Sequence, residues 1–219
     1  GDSDSYAPDV SSDGRYVCFQ SYSSNLVPND TNFQSDIFVK DLQTGVIERV
    51  SVSTNGVQSN NYSNEPRISN DGRFVVFTSG ASNLVPGDNN GRQDIFLRDR
   101  LLRTTTRVST GFFGESNSDS YLPEISGDGG TVAFISYASN LVFFDFNGYS
   151  DVFAYDVGSG SVELVSVDSF GSQANYFSDF KPSLSENGKQ IAFVSYASNL
   201  TPLDGRDLID QQQICACAW

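Results

Sequence analysis

One phrase of twelve residues occurs four times in this 219-residue chain: PDVSSDGRYVCF from Pro8, PRISNDGRFVVF from Pro66, PEISGDGGTVAF from Pro123 and PSLSENGKQIAF from Pro182. The prolines stand 58, 57 and 59 residues apart, and the SNL triplets ending at Leu26, Leu84, Leu141 and Leu200 keep the same step. A unit of this length cannot bury its own hydrophobic face, so its copies must stack into a solenoid, an array or a propeller. The units run approximately 6–61, 62–119, 120–178 and 179–219.

Within a unit, alternating apolar positions (Val10, Ile68, Ile125, Leu184) lead into a DG or NG turn, the mark of a hairpin. The next runs, YVCFQS, FVVFTS, TVAFIS and QIAFVS, are β-branched and aromatic and read as buried central strands. After a longer loop, DIFVKDL, DIFLRDR and DVFAYDV give a third strand, and VIERVSV, TTTRVST and SVELVSV a fourth. No window carries helical spacing of apolar residues, and Gly, Ser, Asn and Asp interrupt throughout. The reading is all-β, a β-propeller of four-stranded antiparallel blades, because a β-helix needs a much shorter period. Three blades are complete and the fourth is incomplete: aligning the last unit sets Gln211 and Gln212 at the places of Ile37 and Phe38 and brings Trp219 level with Gly45.

The shared pattern PxISxDGRxVxFxSxASNLVPxDxNGxxDIFxxDxxTGxxxRVS resembles the TolB-type, WD40-like propeller repeat over almost the whole chain. The first unit departs from it at Phe33, where Gly is usual, and the fourth beyond Asp210. The resemblance implies a propeller that binds partners, with related propellers appended to serine peptidases of the prolyl oligopeptidase group. It implies no activity in the propeller itself. A periplasmic or extracellular setting is part of the same implication.

Composition narrows the chemistry. With 27 acidic residues against 13 basic ones the net charge is −14, which argues against a nucleic-acid backbone or an anionic membrane as partner. No run of 18 apolar residues exists, so no membrane insertion is expected, and the N-terminus lacks the features of a signal peptide, as for a chain whose leader has been removed. Histidine is absent, which removes Ser-His-Asp triads and imidazole-bound metals. Lys40, Lys181 and Lys189 are the only lysines, leaving paired carboxylates as the main catalytic option. Cys18 aligns with Val76, Ala133 and Ala192 and reads as a core residue, whereas Cys215 and Cys217 read as incidental tail thiols.

In an up-down-up-down blade the loops after the second and fourth strands share one side of the ring, and binding groups concentrate on such loops. Loops 30–36, 88–94 and 145–151 share DxNxxxD, with Asp30, Asn32 and Asp36, then Asp88, Asn90 and Asp94, then Asp145, Asn147 and Asp151. This oxygen spacing resembles part of a calcium loop, although an acid at position 5 and a terminal Glu are missing. The alternative is a structural turn in which Asp and Asn bond their own backbone and Gly91 and Gly148 take positive φ. Loop 204–210, DGRDLID, is the fourth member. On the same side Phe143, Phe144, Phe146 and Tyr149 have no counterparts in the other units and form the candidate ligand-binding face. Tyr6, Tyr62, Tyr121 and Tyr176 recur near the prolines and read as wedges between blades, and Asn25, Asn83, Asn140 and Asn199 as braces at strand exits.

The expected function is therefore a noncatalytic binding or scaffold propeller with no catalytic residues of its own. A glycoside hydrolase working through Glu115 or Asp119, or a lectin-like carbohydrate binder, is the alternative. Neither terminus supplies the missing strand, so self-association is expected: a homodimer closing an eight-bladed ring, unless the four units close on themselves. A segment of a longer protein ending in an unrelated tail also fits QQQICACAW. A protein or glycan ligand is the other expected partner, and calcium the one possible cofactor.

Overall fold

The computed structural model describes residues 1–200 and 213–218, so loop 204–210 and Trp219 lie outside the described residues. Strands β1 (Ser5–Val10), β2 (Tyr16–Ser21), β3 (Asp36–Asp41) and β4 (Ile47–Arg49) form the first antiparallel meander. Strands β5 (Ser63–Ile68), β6 (Phe74–Ser79), β7 (Asp94–Asp99) and β8 (Thr104–Arg107) form the second, followed by a small hairpin of β9 (Thr110–Gly111) and β10 (Gly114–Glu115). The third consists of β11 (Ser120–Ile125), β12 (Thr131–Ser136), β13 (Asp151–Asp156) and β14 (Val162–Leu164). In the fourth, β15 (Ser178–Leu184) and β16 (Gln190–Ser195) pair with β17 (Gln213–Ala218).

The last sheet corrects the expected alignment. Ser195 pairs with Gln213 as Ser21 pairs with Asp36, so Ile214 and Cys215, not Gln211 and Gln212, take the places of Ile37 and Phe38. The segment after 212 is thus a blade strand, and Cys215 is a buried residue of it. It stands opposite Phe193, where the other blades stack two phenylalanines across the same register. Those pairs are Phe19–Phe38, Phe77–Phe96 and Phe134–Phe153, with ring centroids 5.8, 6.0 and 5.8 Å apart. These rings pack within their blades, where aromatic cross-strand pairs add to burial.

The cores lie between blades. Cys18, Ile37 and Val39 of the first pack with Ile68, Val75 and Phe77 of the second, and equivalent clusters join the second to the third and the third to the fourth. Every first strand carries a bulge, with Ala7, Glu65, Leu122 and Phe180 in the left-handed region. These innermost strands exchange polar contacts around the axis: the Asp9 carboxylate accepts the Ile68 N–H at 3.0 Å, and Glu65 accepts the Leu122 N–H at 3.0 Å. The end faces differ from the inner ones. Val10 is 52% exposed where Ile68 and Ile125 are 6% exposed, and Ile214 is 81% exposed where Ile37, Ile95 and Val152 are fully buried.

The SNL asparagines join one blade to the next. Asn83 donates through Nδ2 to the Gln58 carbonyl at 2.8 Å and accepts the Asn60 N–H at 3.0 Å. Asn140 binds the Glu115 carbonyl and the Asn117 N–H in the same way, and Asn199 the Gln173 carbonyl and the Asn175 N–H. The tyrosines do not form one repeated wedge. Tyr6 and Tyr121 occupy the second position of their strands, whereas Tyr62 and Tyr176 precede theirs, and Tyr6 is half exposed.

Candidate ligand-binding face

The crossings after the second and fourth strands do come together on one side. Asp36 is fully buried and accepts Ser51 Oγ at 2.5 Å and Ser59 Oγ at 2.8 Å on one oxygen, with Asn32 Nδ2 at 3.0 Å and Gln58 Nε2 at 3.1 Å on the other. Asp94 and Asp151 repeat the arrangement with Ser109, Ser116 and Asn90, and with Ser166, Asn147 and Gln173. The Asn32, Asn90 and Asn147 Oδ1 atoms accept the N–H two residues on, the bond of an Asx turn. Gly91 and Gly148 have φ of 64° and 72°, and Phe33 is forced to 58° at the same place with its ring in solvent.

Arginine, unforeseen in the sequence reading, completes two of these loops. Arg49 lies 3.4 Å from Asp30 and 3.6 Å from Asp36, and Arg107 lies 3.2 Å from Asp88 and 3.8 Å from Asp94. In the third blade the same register position, opposite Phe153, holds Leu164. There Asp145 and Asp151 share only the amide of Gln173, at 2.7 and 3.0 Å. Burial, with no cation alongside among the described residues, pushes the Asp151 carboxyl up to about 6 and raises Asp145 too. Burial and the Asp94 charge push Asp88 up to about 6 even beside Arg107. The nine loop residues Asp30, Asn32, Asp36, Asp88, Asn90, Asp94, Asp145, Asn147 and Asp151 therefore meet in three polar webs. Among the described residues no group of three or more His, Cys, Asp or Glu side chains converges as a metal shell.

Glu115 and Asp119, which looked unrepeated, are engaged with the main chain. Glu115 stands where Gln58 and Gln173 stand, accepting the Asn89 and Asn90 N–H groups at 2.9 and 3.2 Å and pairing with Arg107 at 3.2 Å. Asp119 accepts the Gln93 N–H at 3.0 Å.

The unmatched aromatics divide. Phe143, Phe144 and Phe146 join Phe112 and Phe113 from the β9–β10 hairpin in one chain of ring contacts, with centroids 5.1 to 6.2 Å apart. All five are exposed, from 57% to 81%. Tyr149 packs edge-on against Tyr176 instead, at 4.7 Å, beside Phe177 and Tyr196. The hairpin reaches Phe143 because Gly111 lies against the backbone of Leu141, where a Cβ would fall 2.3 Å from its Cα and carbonyl oxygen. Phe112 and Phe113 lie about thirty residues from Phe143 in sequence, so only this close approach reveals the patch.

Sheets packed blade to blade, with first strands innermost and long crossings on one side, define a β-propeller architecture. More particularly, the chain has a TolB-like propeller fold, as comparison with solved structures bears out. TolB from Acinetobacter baumannii matches over 99% of this chain and 41% of its own, with a TM-score of 0.54 and 20% identity. The β-propeller domain of the Trilobed protease from Pyrococcus furiosus, which has an open velcro topology, matches over 98% of this chain and 54% of its own (TM-score 0.57, 14% identity). Oligogalacturonate lyase from Vibrio parahaemolyticus matches over 92% and 47% (TM-score 0.52, 12% identity). The chain thus spans about half the length of these structures, or less. No protein-family model matches it, and neither does any curated protein.

Proposed function

We propose that this chain is a noncatalytic propeller module that binds a protein or glycan ligand on its long-loop face. The observation that carries the reading is the contiguous exposed cluster of Phe112, Phe113, Phe143, Phe144 and Phe146. Five exposed phenylalanines in mutual contact have no structural need to face water, and such patches mark interaction sites. The engagement of Glu115 and Asp119 with main-chain N–H groups favours this reading over a glycoside hydrolase, which needs two carboxyl groups free to face a sugar. Peptide and glycan arrays probed with the wild-type chain and with the Phe144→Ser/Phe146→Ser double variant test it. A signal lost in the variant supports the reading. Signals indifferent to the substitutions, or turnover of chromogenic glycosides abolished by Glu115→Gln, overturn it.

A second reading concerns the end faces. The exposure of Val10 and Ile214, at positions buried between the other blades, supports a homodimer in which each chain's fourth blade covers the partner's first. Such head-to-tail contacts close a ring when the rotation fits. Light scattering gives the outcome: a doubled mass that falls in Val10→Asp supports the closed pair, and a monomer at all concentrations rejects it. The TolB-type repeat favours a periplasmic or extracellular setting for this module.

A further inference from the structure

The crevices between successive blades are not alike. Between the first and second blades the 53–57 turn plugs the outer gap. Arg98 donates to the Ser53 carbonyl at 3.3 Å, Thr105 Oγ1 donates to the Val52 carbonyl at 2.5 Å, and the Thr105 N–H donates to Thr54 Oγ1 at 3.0 Å. Arg98 and Thr105 face each other across β7 and β8, and both are buried.

Between the second and third blades the plug is missing. The corresponding register pair is Tyr155 and Val162, and the hairpin there is one residue shorter, with Gly111 drawing it onto Leu141. Among the described residues no hydrogen bond joins that hairpin to β13 or β14. What remains is a groove of about 590 Å³ lined by Phe112, Leu141, Val142, Phe143, Tyr155 and Val162, with Thr106, Thr110 and Ser161 hydroxyls at its sides. That volume falls in the range of ligand pockets. Tyr155 is only 8% exposed, and its hydroxyl, beside Gly160 in the groove wall, has no hydrogen-bond partner among the described residues. The ring is buried while the hydroxyl still reaches solvent at the groove wall, where it can take a partner.

The plugged crevice shows what fits: a peptide turn that gives one main-chain carbonyl to the side chain at the Arg98 position and another to the side chain opposite it, at the Thr105 position. We propose that the open crevice docks a peptide segment from a partner, which seats an apolar side chain between Phe112, Phe143 and Val162 and gives a main-chain carbonyl to the Tyr155 hydroxyl. This deepens the binding-module reading and rests on it, while committing to peptide over glycan and to the crevice over the open loop tips.

The test uses a blocked hexapeptide, acetyl-Gly-Ser-Phe-Gly-Lys-Ser-amide, titrated into the ¹⁵N-labelled chain. Saturable amide shifts at Gly111, Leu141, Tyr155 and Val162 are expected, and none with serine in place of the peptide's phenylalanine. Tyr155→Phe should weaken binding about fivefold, and Phe143→Ser about tenfold or more. A graft of residues 53–57 in place of 111–114, together with Tyr155→Arg and Val162→Thr, restores the plug while keeping Phe144 and Phe146. It should abolish binding without loss of fold. The proposal is overturned by the absence of saturable shifts at millimolar peptide, or by affinity unchanged in Tyr155→Phe and Phe143→Ser. Binding that survives the graft but is lost in Phe144→Ser/Phe146→Ser overturns the crevice alone and leaves the loop-face reading standing; a glycan-array signal with no peptide shifts does the same.

Discussion

Asn83 lies in one blade and Gln58 in the connection leaving the blade before it, yet the Asn83 amide donates to the Gln58 carbonyl at 2.8 Å. Repeated at Asn140 and Asn199, this clasp gives the SNL triplet a physical reason to recur: it fixes the incoming chain to the next blade. Asn83→Ala strands one carbonyl and the Asn60 N–H together. We expect a loss of about 1–2 kcal/mol in urea unfolding, with Asn140→Ala costing about the same.

Arg107 neutralises Asp88 and Asp94, where the third blade has Leu164 between Asp145 and Asp151. Arg107→Leu leaves two buried carboxylates facing each other and should cost about 3 kcal/mol at pH 7. Adding Asp88→Asn should recover more than half of that, which denaturant melts of the single and double variants will measure.

The same carboxylates set the pH dependence. Asp88 and Asp151 have native values of about 6 against an ordinary 3.8, so the native state holds protons that the unfolded chain has released. Their contribution is full below about pH 4 and is lost as pH rises through 6. Asp99 and Asp41, held low by Arg73 and Arg15, act oppositely and lose their contribution as pH falls below 4. Thermal midpoints should therefore be higher at pH 5 than at pH 7.5, with a smaller difference in Asp88→Asn.

Phe33 holds φ of 58° with its ring in solvent, where Gly91 and Gly148 hold the position in later units. Phe33→Gly relieves a left-handed conformation at some cost in unfolded-chain entropy. A net gain of about 0.5–1 kcal/mol is expected in calorimetry, and Gly91→Ala should lose about 1 kcal/mol.

Calcium provides a further check on the loops. With Arg49 and Arg107 set between the paired carboxylates and the amides directed at their oxygens, melting midpoints in chelator and in added calcium should coincide. A ligand bound only by the native state would raise the midpoint, and a calcium-dependent rise abolished by Asp145→Asn would assign it to the third blade, which lacks the arginine.

The repeated phrase by itself determined the all-β units, their four-strand order and the side on which the long crossings gather, because strand alternation and turn chemistry are local properties carried by each copy. It also held Glu115 at a repeated position, visible by counting from Gln58 and Gln173. Only the tertiary structure decided the register of the last strand, where β16 selects Gln213 through backbone pairing that the degenerate QQQICACAW sequence leaves open. It alone decided that arginine enters the first two acidic webs, that Tyr149 parts from Phe143, and that Phe112 meets Phe143 to leave the crevice beside Tyr155 open. The arginines and β17 meet partners within their own blade, and the contact of Phe112 with Phe143 reaches from one unit to the next. All are contacts between distant residues whose distances are set by how strands and loops pack, which no local pattern encodes.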